Sequence, residues 1–348
     1  MKILYVCWLD PATTDLPLFL ANAWEAEGHE VCLFPYDLEF SNVAPSRLID
    51  SAALHFGSQA WRFFFFERNV LNKCNSFKPD VVLLGHPFIG LSRFRQLREK
   101  LGCLIGYFVG YNNLLEGQVA QYLSASDFVL VHDSYLIPLV QGTRYGRCPN
   151  VFLVPALAEP KEHRSLSVSE NERHRYGGDV VFIGGAGPNR IVTLSALKNH
   201  DLRIWGGSAW KNVPELFPCF RDEPVYGLKK SKIYHAASIT LNIEDDEKQV
   251  NAISQRVPEV FACGGFVITG WHKDLDKTGL VEGESIVSYR SAGELQEKVD
   301  YYLSHPEERM RISQNGRIIV EQNLTYERVA PLVIQEIEKV FKEASNFK

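Results

Sequence analysis

At 348 residues the chain is too long for one ordinary core and long enough for two domains of typical size. A hydrophobic fraction of 45%, a charged fraction of 23% and the lack of repeats or low-complexity tracts belong to a globular protein. A formal net charge of −5 and a pI near 6.1 argue against a nucleic-acid binder, which needs a basic face.

The first half alternates short apolar runs with amphipathic segments. Residues 2–8 are expected as a strand, since the run is too short for a signal peptide and meets Asp10-Pro11. Further strands are expected at 30–34, 81–85, 104–109, 128–132 and 151–154. Helices are expected at 16–27, stopped by Gly28, and at 91–101, stopped by Gly102. The cluster Trp61-Arg-Phe-Phe-Phe-Phe-Glu67 is expected on a helix buried round most of its circumference, because no basic run beside it would hold anionic lipid. Nowhere is there a stretch approaching the ~20 apolar residues that span a bilayer, which leaves at most peripheral membrane contact.

Strand–helix–strand alternation predicts a parallel, doubly wound sheet whose ligands sit past the carboxyl ends of its strands. Asp10, His86, the Gly110-Tyr-Asn-Asn113 run, His132 and Asp133 all fall there, and Asp10, His86, His132 and Asp133 are candidates for acid/base work. Each also has an ordinary structural reading, as a turn former or a satisfied histidine. Seven scattered cysteines (Cys7, Cys32, Cys74, Cys103, Cys148, Cys219, Cys263), odd in number and never in a Cys-x-x-Cys pair, read as reduced thiols of a cytoplasmic protein.

From Pro155 to Gly178 the composition turns polar and the periodicity fades, so a linker is expected at 159–178, after a first domain at 1–158. A second alternation follows. Its strands are expected at 179–184, 202–205, 239–243, 266–269 and 285–288, within a domain at 179–325. Helices at 294–303, 307–315 and about 326–344 close the chain.

Asp179-Val-Val-Phe-Ile-Gly-Gly-Ala-Gly-Pro-Asn-Arg190 is a strand, a glycine turn and a helix start. Amides of Gly184, Gly185 and Gly187 can approach an anion, and Arg190 adds a full charge. A tight turn with a surface arginine accounts for the same residues equally well. The spacing is neither a dinucleotide fingerprint nor a Walker A loop, which sets an NAD-dependent dehydrogenase aside. Trp205-Gly206-Gly-Ser-Ala-Trp210 could lay a ring against a base or sugar, or be a packed turn. Tyr226 precedes a helix expected at 230–237, Asn242 ends the next strand, and 244–254 is polar with no apolar period, as for a loop over a site. Asn251 and Ser254 are N-cap types for the segment that follows.

That segment, Arg256-Val-Pro-Glu259-Val-Phe-Ala-Cys-Gly-Gly-Phe266, places Arg256 and Glu259 on one helical face before a glycine stop. A carboxylate there can accept from a ribose diol, and a guanidinium can meet a phosphate as a fork. A surface Arg/Glu pair on an amphipathic helix is the plainer alternative.

Several pieces in this order resemble the CgeB-type (spore maturation protein-like) glycosyltransferases of the group 1 GT-B superfamily. They are Lys78-Pro-Asp-Val-Val-Leu-Leu84, Phe128-Val-Leu-Val-His-Asp133, Val154-Pro-Ala156, Phe182-Ile-Gly184 with Arg190, Ser238-Ile-Thr-Leu-Asn242, Arg256-x-x-Glu259 with Ala262-Cys-Gly-Gly-Phe266, and Leu324-Thr-Tyr-Glu-Arg328. The resemblance implies a GT-B fold: two Rossmann-like doubly wound domains facing a central cleft, with a last helix (326–348) crossing back to the first. It implies an acceptor-binding first domain, a nucleotide-sugar-binding second domain, no required metal and no cofactor beyond a UDP-, GDP- or dTDP-linked co-substrate. By matching positions Glu259 would bind the ribose, Arg190 and the glycine turn the diphosphate, Arg256 the phosphates or sugar, and His86 the transferred sugar. Group 1 enzymes often carry a glutamate eight residues before the one matching Glu259, where this chain has Asn251. An acidic run common in CgeB-like chains is replaced at Gly110-Tyr-Asn-Asn113.

The expected activity is transfer of a sugar from a nucleoside-diphosphate sugar to a glycan, lipid-linked or protein acceptor. A nucleotide-sugar epimerase on the same fold and a non-catalytic nucleotide-sugar binder are the alternatives. Retention or inversion and a homodimer stay open.

Overall fold

A computed structural model describes residues 1–7, 16–35, 58–85, 98–109, 118–142, 148–223, 225–244 and 250–346. It divides into two units: Met1–Val154 with Ala330–Lys348, and Pro155–Val329.

The first unit holds a parallel sheet of β1 (Lys2–Cys7), β2 (Glu30–Pro35), β3 (Val81–Leu84), β4 (Leu104–Val109), β5 (Phe128–Val131) and β6 (Val151–Leu153), in the order β2-β1-β3-β4-β5-β6. Its inner strands are continuous Val/Ile/Leu runs because both faces are covered. Alternate residues Leu4, Val6, Val82, Leu84, Ile105, Tyr107, Val129 and Val131 line one face. Against them pack Val70 and Cys74 of α2 (Ser58–Phe77), Tyr122 and Leu123 of α3 (Gln118–Ala125), and Leu136 and Val140 of α4 (Leu136–Gln141). Trp24 of α1 (Leu16–Ala26) is wholly buried, and its indole N–H donates to the Ala330 carbonyl at 3.0 Å. Leaving that N–H unmet would cost about 1–3 kcal/mol, so a residue 306 positions away is specified as its partner. Asp10, His86 and 110–113 lie outside the described residues, as do residues 91–97 and the side chains of 58–66.

The second unit repeats the winding. Its parallel strands are β7 (Val180–Ile183), β8 (Leu202–Trp205), β9 (Ile239–Asn242), β10 (Val267–Gly270) and β11 (Val287–Tyr289), ordered β11-β10-β9-β7-β8. The core joins Val180, Phe182, Ile204, Leu241 and Ile268 to Leu194 of α6 (Pro188–Ser195), Val299 of α9 (Ala292–Ser304) and Ile312 of α10 (Pro306–Asn323). The opposite face carries Val181 and Trp205 against Ile233 of α7 (Gly227–Ala236). The Arg256–Glu259 segment is α8 (Arg256–Ala262). It stops where Gly264 adopts φ +75°, a conformation that a side chain would strain.

Residues 159–178, where a linker is expected, fall within the second unit. Among their polar residues Ser169 and Glu172 form a capping box on α5 (Glu170–Tyr176), and Glu159 Oε1 accepts from the Lys161 amide at 3.1 Å. The helix expected to end at 315 runs to Asn323, through Gly316. A Cβ there would fall 2.5 Å from the Phe261 ring, so the glycine serves close packing on α8 rather than a stop. The last helix, α11 (Tyr326–Asn346), passes from the second unit into the first at Ala330, beside Pro331.

Candidate functional site

In the second sheet the chain leaves β7 for β8 on one side and later returns to β9 on the other. The carboxyl ends of β7 and β9 therefore flank the point where strand order reverses, which is where open α/β sheets bind ligands. Two arginines meet there. Arg190, in the first turn of α6, donates from Nε to the Ile243 carbonyl at 3.1 Å and from Nη1 to the Gly185 carbonyl at 3.2 Å. Arg256, opening α8, reaches the opposite way: Nη2 donates to the Ile183 carbonyl at 2.7 Å, and Nη1 donates to Asn242 Oδ1. Each guanidinium also stands over the Phe182 ring, 5.6 Å and 5.2 Å from its centroid. Arg256 rests on neutral oxygens with no carboxylate at ion-pair distance among the described residues, and its buried Nε has no partner.

The turn between β7 and α6 is held open by its neighbours. Trp210 donates its indole N–H to the Gly184 carbonyl at 2.8 Å. A Cβ on Gly206 would fall 2.0 Å from that same carbonyl, so only glycine fits. Gly185 is exposed with open space where a side chain would stand, and Gly187 is the N-cap before Pro188. Backbone amides and two guanidiniums so placed suit a diphosphate.

One turn past Arg256, Glu259 is half-buried. Its Oε1 lies 3.1 Å from Lys230 Nζ of α7 and 3.5 Å from His163 Nε2. Burial alone would raise this carboxyl, but the Lys230 ammonium, with the Arg256 guanidinium, outweighs it and holds it below the ordinary carboxylate value. Burial pushes the His163 imidazole down to about 4, against the pull of Glu259. Tyr226, one turn before Lys230, is exposed at the N-cap of α7.

Other candidates have structural employment. Trp205 is 1% exposed, so its ring is core and offers no face to a ligand. Asn242 is fully buried, with Nδ2 on Thr269 Oγ1 at 2.9 Å and on Glu244 and with Oδ1 on Arg256; it positions the arginine. Ser254 Oγ accepts from the Arg256 amide at 3.3 Å, and the Asn251 carbonyl accepts from the Asp274 amide at 2.9 Å. In the first unit His132 is buried, its Nδ1 donating to the Val154 carbonyl at 3.0 Å, and Asp133 Oδ1 accepts from the Tyr135 amide at 2.9 Å. Lys230, His163 and Phe182 were not singled out from sequence. Phe182 lies in the Phe182-Ile-Gly184 motif, whereas a single histidine in a polar stretch carries no periodic signal. All seven cysteines are free thiols. Among the described residues no helix is long and apolar enough to cross a membrane.

Residues 190–335 match a family model described as glycosyl transferase-like. No curated protein sequence is matched significantly. Among solved structures, sucrose-phosphate synthase from Thermosynechococcus elongatus superposes with a TM-score of 0.71 at 15% identity, over 98% of this chain and 99% of that one. A glycosyltransferase from Rickettsia africae gives 0.68 at 10% identity, over 99% and 98%. HepE of Anabaena, solved with UDP-glucose, gives 0.64 at 10% identity, over 97% and 100%. The chain therefore has the GT-B fold, with two Rossmann-like parallel-sheet domains.

Proposed function

We propose that the chain is a glycosyltransferase that moves a sugar from a nucleoside-diphosphate sugar to an acceptor without a required metal. The observation that carries this is the meeting of Arg190 and Arg256 across the reversal point of the second sheet, with Glu259 one turn beyond. The guanidiniums and the turn amides from Gly185 to Gly187 stand in for a metal by facing charge that develops on a leaving diphosphate, the Gly184 amide being spent on the Trp205 carbonyl at 2.9 Å. Glu259 accepts from the ribose, and Tyr226 offers an exposed ring to the base. The family match over 190–335, the GT-B fold and a neighbour solved with UDP-glucose support the same reading.

The finer reading is a CgeB-type, hexosyltransferase-like enzyme of the cytoplasm, in keeping with its free thiols. The first domain binds a glycan, lipid-linked or protein acceptor. In an inverting reaction the first domain also supplies the base, for which His86, His132, Asp133 and Asp10 are the candidates. Domain closure limits donor hydrolysis.

Incubation with UDP-, GDP-, dTDP- and CMP-sugars, with and without acceptors and with EDTA, tests this. Acceptor-dependent release of nucleoside diphosphate that EDTA leaves unchanged is expected. A changed sugar without acceptor would instead identify an epimerase, and binding without turnover a silent binder.

A further inference from the structure

We propose that His163 is a positioning residue that sets Glu259 to accept a ribose diol, making the site selective for ribonucleoside over 2′-deoxyribonucleoside diphosphates. The inference rests on the donor-site reading above and adds a residue and a specificity to it.

His163 is 4% exposed, and its two ring nitrogens have different jobs. Nδ1 accepts from the Glu159 backbone N–H at 3.0 Å, which puts the proton of the neutral ring on Nε2. Nε2 faces Glu259 Oε1 at 3.5 Å, the outer limit of hydrogen-bond reach. Lys230 Nζ meets the same oxygen at 3.1 Å. A neutral ring adds direction without cancelling the carboxylate charge. Oε1 thus accepts from Lys230 and is faced by the His163 ring, both outside α8, whereas Oε2 has no protein donor among the described residues. A carboxylate held by one oxygen presents the other, which can accept from two vicinal hydroxyls.

The mounting is rigid. The Glu162 and His163 amides both donate to the Glu159 carbonyl, at 3.1 Å and 2.7 Å, closing a turn. Ser231 of α7 fastens that turn by donating to the Glu162 carbonyl at 2.7 Å. The helix that carries Lys230 therefore also anchors the turn bearing the imidazole, so both groups that face Oε1 are tied to α7. Removing the 2′-hydroxyl takes away one of the bonds that this arrangement orients, and a site built to bond a hydroxyl rejects the analogue lacking it.

The test is calorimetric titration of the whole chain with UDP, GDP, dUDP and dGDP, using wild type, His163→Leu and His163→Gln. Wild type is expected to prefer the ribonucleotide by about tenfold. His163→Leu should bring that preference towards unity while deoxynucleotide affinity changes by less than about twofold. His163→Gln, whose amide can accept from Glu159 and donate towards Glu259, should keep most of it. Equal losses for both sugars in a folded His163→Leu protein would overturn the proposal. Should that variant fail to fold, His163→Gln decides: a retained preference supports it, and equal weakening overturns it. Wild-type binding with no ribose preference overturns this inference alone. No binding of any nucleotide overturns the donor-site reading itself.

Discussion

His132 and Asp133 close β5 in the first unit much as Asn242 and Arg256 attend the end of β9 in the second. The two pairs are used differently. His132 donates to the Val154 carbonyl and Asp133 accepts from the Tyr135 amide, so each bonds backbone of the first unit. Asn242 is also engaged, but by Arg256, and the guanidinium has no carboxylate at ion-pair distance among the described residues. A polar residue past a strand end is thus weak evidence of a site. A guanidinium held by a buried neutral partner, with no ion pair of its own, is stronger evidence, since a protein interior tolerates it only at a cost that a ligand can relieve.

That contrast can be broken most directly at Arg256. Arg256→Ala should weaken nucleoside-diphosphate binding by about 3 kcal/mol, roughly a hundredfold in Kd, measured by calorimetry. A similar loss from Asp133→Asn would erase the distinction between the units.

Acid should act on the second unit through His163. The folded ring titrates near 4 and the free imidazole near 6.5, so the unfolded chain takes up the proton first. Stability is then full above about pH 6.5 and falls as pH drops towards 4, by up to about 3 kcal/mol. Glu259 acts in the same direction: its carboxyl is depressed, and its contribution disappears as pH falls through the folded value. Thermal melts across this range should show a steep slope for wild type and a shallower one for His163→Gln.

Glu259→Ala should cost about 1–3 kcal/mol of nucleotide affinity with the fold retained. Unchanged affinity would return Glu259 to a structural pair with Lys230. The smallest effect is expected from His132→Ala: about 1 kcal/mol of stability, from the lost bond to Val154, with nucleotide affinity within about 0.5 kcal/mol of wild type.

Much of the second unit was legible in the sequence because its signals are local. Apolar runs marked β7 to β10, Gly264 marked the end of α8, and the three-residue spacing of Arg256 and Glu259 placed them on one face. What escaped depends on contacts between distant segments. Trp205 beside Gly206 looked like a stacking platform, yet packing against Val181 and Ile233 buries the ring. The 159–178 segment lacks periodicity and so read as a linker, although Ser169 and Glu172 carry a capping-box spacing. His163 becomes meaningful only when α7 brings Lys230 to the same carboxylate oxygen, 67 and 96 residues from Lys230 and Glu259 being too far for any local pattern to register.

A crystal of the whole chain grown with UDP or GDP would test the central claim most directly. The account predicts the diphosphate between the carboxyl ends of β7 and β9, within hydrogen-bond reach of both Arg190 and Arg256, and the ribose on Glu259. A nucleotide bound elsewhere, with both guanidiniums still resting on the Ile183 and Ile243 carbonyls, would contradict it.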